Sequence, residues 1–214
     1  MKLYTYFRST AAYRVRIALN LKGLPYEAVT KDLRGTAGEH RRSEYLTLNP
    51  QGLIPALEHE GRVLAQSLAI IEYLDECFPS PPLLPKAPAD RATVRAMALN
   101  IACDMHPLNN LRVLNYLRDE LRQDEASVNR WYAHWISEGF RGLEELAKRS
   151  SDDRQHCFGN SVTLADVCLV PQMFNARRFK CDVSPYPTLV SITSRLEELP
   201  AFAAARPEAQ ADAS

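Results

Sequence analysis

The residues best equipped for chemistry lie near the start of the chain. Arg8-Ser9-Thr10-Ala11-Ala12-Tyr13-Arg14 puts two hydroxyls between a stretch that alternates like a strand and one with helical periodicity. A helix N-terminus at that junction carries partial positive charge and unpaired N–H groups, which favour an anion. With a hydroxyl donor beside it, such a place can hold a thiolate below its free pKa. No cysteine falls in this stretch, so a thiol activated there has to come from a ligand. Taken alone, Ser9 or Thr10 reads as a helix cap, and other features of the chain must supply the case for more. Two other places could meet an extended peptide ligand. Leu53-Ile54-Pro55 precedes a predicted strand, where a cis X-Pro bond would leave backbone groups free to pair with the ligand. Gln66-Ser67 opens a helix whose amides and hydroxyl could hold a carboxylate, or only cap it.

The elements that must position these residues follow from the pattern. Lys2 to Phe7 reads as a strand, Ala11 to Leu21 as a helix ending at Gly23, and Tyr26 to Val29 as a second strand, parallel to the first through a right-handed crossover. After a polar loop, a short helix is expected near Arg41 to Leu48. Pro55 to His59 and Arg62 to Leu64 then flank a Glu60-Gly61 turn as a hairpin. Ser67 reads as the N-cap of a helix that Pro79 stops after Phe78. The order is βαβ followed by ββα. The run from Pro79 to Pro88 is the most proline-rich in the chain and cannot supply ladder or helix donors, which marks a domain boundary. An α/β domain over residues 1–80, a linker over 81–88 and an all-α domain over 89–214 are expected. Long helices are predicted at Arg91 to Leu121, Glu125 to Arg149, Leu164 to Phe179 and Pro187 to Glu198, with a fraying tail from Arg206. Thr163-Leu164-Ala165-Asp166 before an apolar run is a capping box and belongs to folding.

Bulk properties narrow the partners. The 214 residues carry 26 acidic and 26 basic side chains, which leaves no net field to draw in nucleic acid or an anionic membrane. The opening lacks the basic-then-apolar run of a signal peptide, and no stretch approaches the roughly 20 apolar residues of a membrane span. A cytoplasmic protein with small-molecule or protein partners is expected. The five cysteines are irregularly spaced without a Cys-x-x-Cys pair, and the five histidines are scattered singly, so neither a disulfide framework nor a metal site is expected.

Tyr6-Phe7-Arg8-Ser9-Thr10-Ala11-Ala12-Tyr13-Arg14-Val15-Arg16-Ile17-Ala18-Leu19 resembles the signature that opens zeta-class glutathione transferases. Asn49-Pro50 through Pro55, Gln66-Ser67 and Asp104-Met105-His106-Pro107-Leu108-Asn109-Asn110 follow in that family's order over nearly the whole chain. The resemblance implies a thioredoxin-like N-terminal domain, an all-helical C-terminal domain, a homodimer, and glutathione as cofactor. It implies that Ser9 and Thr10 jointly serve the thiol, and that the Ile54 backbone, Gln66, Ser67, His106 and Asn110, the last two on the first C-terminal helix, contact glutathione. One departure stands out: where the family often has Ser-Ser-Cys, this chain has Ser9-Thr10-Ala11. Glutathione brings its own sulfur, so the missing thiol need not abolish activity.

The resemblance further implies cis–trans isomerisation of a maleyl diketo-acid: maleylacetoacetate, in aromatic amino-acid breakdown, or maleylpyruvate, in gentisate breakdown. Such a substrate is a dianion, and arginine meets carboxylates bidentately while staying charged. Arg8, Arg112 and Arg178 match arginines of the maleylpyruvate-isomerising relatives and are the expected substrate ligands, with Arg8 also beside the thiol. A general glutathione conjugase or dehalogenase would want an apolar pocket instead, and a non-catalytic glutathione-binding protein would not need the hydroxyls.

Overall fold

The computed structural model describes residues 1–34 and 38–213; residues 35–37, within the expected polar loop, and 214 lie outside it. The chain divides into two compact units, Met1–Pro82 together with Glu198–Ser214, and Leu83–Glu197.

In the first unit, β1 (Lys2–Thr5), β2 (Glu27–Thr30), β3 (Ala56–His59) and β4 (Arg62–Ala65) form a mixed sheet in the order β2-β1-β3-β4. β1 runs parallel to β2, with Lys2 opposite Glu27, and antiparallel to β3, with Leu3 opposite Leu57. The β3–β4 turn places Glu60 at φ 50° and Gly61 at φ 73°, the left-handed pair that matches hairpin twist. A Cβ at position 61 would meet nothing within 4 Å, so backbone conformation and not crowding favours glycine there. α1 (Thr10–Leu21) is buried along nearly its whole length, and α2 (Ser43–Leu48) and α3 (Ser67–Cys77) complete a thioredoxin-like arrangement. α9 (Pro200–Ala205) packs along α1, and Asn20 Nδ2 donates to the Ala201 carbonyl at 2.9 Å.

Three local expectations are corrected. Gln66, at φ 69°, and not Ser67 is the N-cap of α3; Ser67 is the first helical residue. The tail, as far as residue 213, is held against the rest of the first unit: a 3₁₀ turn covers Pro207–Ala209, and the Asp212 carboxylate accepts from the Phe7 N–H at 3.0 Å. Arg91 to Leu121 is not one helix. α4 (Pro88–Leu99) widens into a π-helical turn at Asn100–Met105, the chain then turns through Pro107, and Asn110 caps α5 (Leu111–Asp119) by accepting from the Arg112 N–H. Proline has no N–H to continue the helix ladder, and a capping asparagine starts a new one.

The second unit is helical: α4, α5, α6 (Glu125–Ser150), α7 (Leu164–Arg178) and α8 (Pro187–Glu197). α7 lies between α4 and α8 and is buried on almost all sides. Gly139 of α6 lets Met105 approach so closely that a Cβ would collide with its side chain. The capping box is formed: buried Asp166 accepts from the Thr163 N–H and hydroxyl, each at 2.8 Å, and from the Cys157 N–H at 2.7 Å.

Buried Glu144 of α6 caps α8, accepting from the N–H groups of Thr188 and Leu189 at 3.0 Å each. Burial works to raise its pKa, but these bonds and the Lys148 ammonium at 3.4 Å outweigh it, and the pKa lies below the ordinary glutamate value. A depressed folded-state pKa contributes stability that is present above the unfolded value and is lost as pH falls through the folded one. Glu144→Gln is expected to cost about 1.5 kcal/mol near neutrality. In urea titrations at successively lower pH, the gap from wild type should close in the acid range.

Candidate active site

The loop from Tyr6 to Ser9 joins β1 to α1. Ser9 is the N-cap: its Oγ accepts from the Ala12 N–H at 3.2 Å, and its own N–H donates to the Tyr6 carbonyl at 2.9 Å. Thr10 is the first helical residue and is buried, whereas Ser9 is half-buried. Both hydroxyls therefore sit at a helix N-terminus, where aligned N–H groups favour negative charge. Arg8 is exposed, with its guanidinium carbon 4.7 Å from the centre of the Phe7 ring.

Behind the loop, Tyr6, Phe7, Ala12, Tyr45, Ile54 and Ala56 form one apolar cluster. This packing brings Ile54 to the Tyr6–Ser9 loop although 45 positions separate it from Ser9 (54 − 9). The Ile54-Pro55 peptide is cis. The preceding Leu53 carbonyl is held twice, by the Tyr45 hydroxyl at 2.7 Å and the Asn49 amide at 2.9 Å. Burial pushes the Tyr45 pKa up to about 12, so it acts as a neutral donor at any working pH. The backbone N–H and C=O of Ile54 make no hydrogen bond among the described residues.

The N-terminus of α3 is joined to α1 by Arg14, a buried residue whose Nη1 donates to the Ser67 Oγ at 3.3 Å. Gln66 is exposed, and its amide donates to the Gln51 side chain at 2.8 Å. Arg14 and Arg16 both fall within the Tyr6–Leu19 signature, and both are buried. Nothing in spacing distinguishes a buried arginine from a solvated one on a helix.

The other expected residues lie in the second unit. His106 is in the turn after the π-helical segment, and Asn110 is the cap of α5; neither belongs to the first helix of this unit. Arg112 is exposed in the first turn of α5. Arg178, also exposed, ends α7 with its guanidinium 5.0 Å from the Phe179 ring centre. Tyr132 links the two segments: its carbonyl accepts from the Asn109 amide at 3.1 Å, and its ring stacks on Phe179 at 3.9 Å. Among the described residues, no group of His, Cys, Asp and Glu could hold a metal ion, and no helix is long and apolar enough to cross a membrane.

A thioredoxin-like sheet with hydroxyls at the first helix N-terminus, followed by a helical unit, defines the glutathione transferase class of fold. Residues 8–77 match the glutathione S-transferase N-terminal domain model and residues 129–204 the C-terminal one. The chain is 54% identical over 211 residues to a probable maleylacetoacetate isomerase of Vibrio cholerae serotype O1, covering 99% of this chain and 97% of that one. It superimposes with a TM-score of 0.95 on the holo structure of maleyl pyruvate isomerase, a bacterial zeta-class glutathione S-transferase, at 47% identity over all of both chains. With a TM-score of 0.94 and 38% identity, also over all of both chains, it matches maleylacetoacetate isomerase from Methylobacterium extorquens AM1 with bound malonate and glutathione. The chain belongs to the glutathione S-transferase family, in its zeta class.

Removing the Ser9 cap should be visible without any ligand. Ser9→Ala is expected to lower stability by about 1 kcal/mol, with Thr10→Ala, which leaves the cap bond in place, costing less. Urea midpoints of the two variants check this order.

Proposed function

We propose that this chain is a glutathione-dependent cis–trans isomerase that converts maleylacetoacetate to fumarylacetoacetate. The observation that carries the reading is the α1 N-terminus, with two hydroxyls and no protein cysteine, on a chain of this family. The donor set suits glutathione: a helix N-terminus and hydroxyls for a thiolate, an unpaired Ile54 backbone for a peptide, and the α3 N-terminus for a carboxylate.

In this reading Ser9 and Thr10 hold the sulfur, the Ile54 backbone pairs with the peptide, and Gln66 and Ser67 receive a carboxylate. His106 and Asn110 supply further glutathione contacts. When bound, glutathione supplies a thiolate that adds to the cis double bond, leaves it single and rotatable, and departs after rotation, so it is not consumed. Arg8, Arg112 and Arg178 grip the two substrate carboxylates and stabilise the negative charge that develops on the keto oxygen. Malonate bound with glutathione in the Methylobacterium relative supports a dicarboxylate substrate. The reading places the enzyme in the cytoplasm as a homodimer, in keeping with its balanced charge and its family. The likeness to a maleyl pyruvate isomerase favours maleylpyruvate as the second substrate to assay.

With maleylacetoacetate and a trace of glutathione, many product molecules should form per glutathione. A yield capped at one would sink the coenzyme role. The double variant Ser9→Ala, Thr10→Ala should raise the pKa of bound glutathione, since one charge-assisted hydrogen bond contributes about 1.5–3 kcal/mol. Ultraviolet titration of the bound thiolate reads this directly.

Replacing Arg8, Arg112 or Arg178 by Met should cost on the order of 2–4 kcal/mol in kcat/KM for the diacid. Glutathione affinity and turnover of a neutral chloro-dinitrobenzene should hardly change. Equal losses on both substrates would count against a dicarboxylate grip.

A further inference from the structure

The Tyr6–Phe7 peptide group is gripped at both ends by opposite charges. Its carbonyl, on Tyr6, accepts from Arg16 Nη1 at 3.3 Å, and its N–H, on Phe7, donates to the Asp212 carboxylate at 3.0 Å. The next carbonyl, on Phe7, accepts from Arg16 Nη2 at 3.0 Å. Arg16 is fully buried, and its remaining bonds go to the Thr5 hydroxyl at 3.1 Å and, through Nε, to the Ala205 carbonyl at the end of α9 at 3.0 Å. The Ser9 N–H hangs on the same Tyr6 carbonyl that Arg16 holds.

We infer that Asp212, acting with Arg16, is a positioning residue for the thiol site: the C-terminal segment fixes the Tyr6–Ser9 loop and thereby aims the hydroxyl of Ser9 and the first turn of α1. The inference rests on the function proposed above. Three adjacent backbone groups of the loop are bound to fixed charges, and charge-assisted bonds are about twice as strong as neutral ones. The capping bond within the first turn leaves Ser9 anchored to α1 but does not set the path of the loop that reaches it. Positioning of this kind matters because a displacement of about 1 Å at a reacting group can cost roughly a hundredfold in rate. Arg16 is sealed inside the first unit and its replacement would test folding as much as positioning. Asp212 is only partly buried and can be changed alone.

The experiment compares wild type with Asp212→Ala and Asp212→Asn, the amide oxygen of which still accepts from the Phe7 N–H. Amide exchange at Phe7 and Ser9, measured without glutathione, should quicken about tenfold or more in Asp212→Ala, with the global urea midpoint nearly unchanged. With glutathione bound, the thiol pKa should rise and kcat/KM should fall about tenfold, most of which Asp212→Asn restores. Faster exchange with an unchanged thiol pKa and kcat/KM would overturn the positioning role and leave a merely structural contact. Unchanged exchange would overturn the clamp itself. A wild-type chain that leaves the thiol at its free pKa would overturn the proposed function and this role with it, an outcome read before any variant is compared.

Discussion

A guanidinium sealed inside an apolar shell must find oxygen acceptors, because an uncompensated buried charge is among the most destabilising features a fold can carry. Arg16 meets that demand with carbonyls of Tyr6, Phe7 and Ala205 and the hydroxyl of Thr5. Burial lowers its pKa to about 10, still well above neutrality, so it remains a cation that holds these oxygens. The consequence reaches both ends of the first unit. The carbonyls that follow β1 turn inward and cannot continue a strand ladder, so the strand stops at Thr5 and the loop to α1 has one course. The same cation ties α9 to α1.

Around that anchor, the groups proposed to meet glutathione are mostly backbone. The N-termini of α1 and α3 present N–H groups, and Ile54 presents a peptide whose neighbour, the Leu53 carbonyl, is already taken by Tyr45 and Asn49. A site made of backbone groups tolerates side-chain change at its rim. On the function proposed above, Thr10-Ala11 suffices at the start of α1, because the hydroxyls and the helix terminus are present and the sulfur would arrive with the ligand. The second unit uses buried carboxylates in the complementary way. Asp166 accepts from the N–H of Thr163, the residue that caps α7, and Glu144 from the first N–H groups of α8, which fixes where those helices begin and hence where Arg178, at the far end of α7, is presented.

Local chemistry was legible in the amino-acid sequence wherever one turn or one cap decides it. The parallel β1–β2 pair, the Glu60-Gly61 hairpin and the Thr163/Asp166 capping box each depend on residues a few positions apart or on a period that survives in one dimension. The signature from Tyr6 to Leu19 likewise located the strand, loop and helix terminus of the proposed thiol site, because the three are contiguous there. Tertiary structure decided the rest. Whether Ser67 caps α3 or stands one residue inside it depends on the positive φ of Gln66, and the break near His106 depends on a widened turn that helical periodicity does not announce. The burial of Arg14 and Arg16 and the reach of Asp212 to Phe7 across 205 positions leave no trace in spacing or composition. They arise because α1, enclosed on nearly every side, turns its charged residues toward distant carbonyls and hydroxyls. Which oxygens those are is set only once the chain has closed on itself.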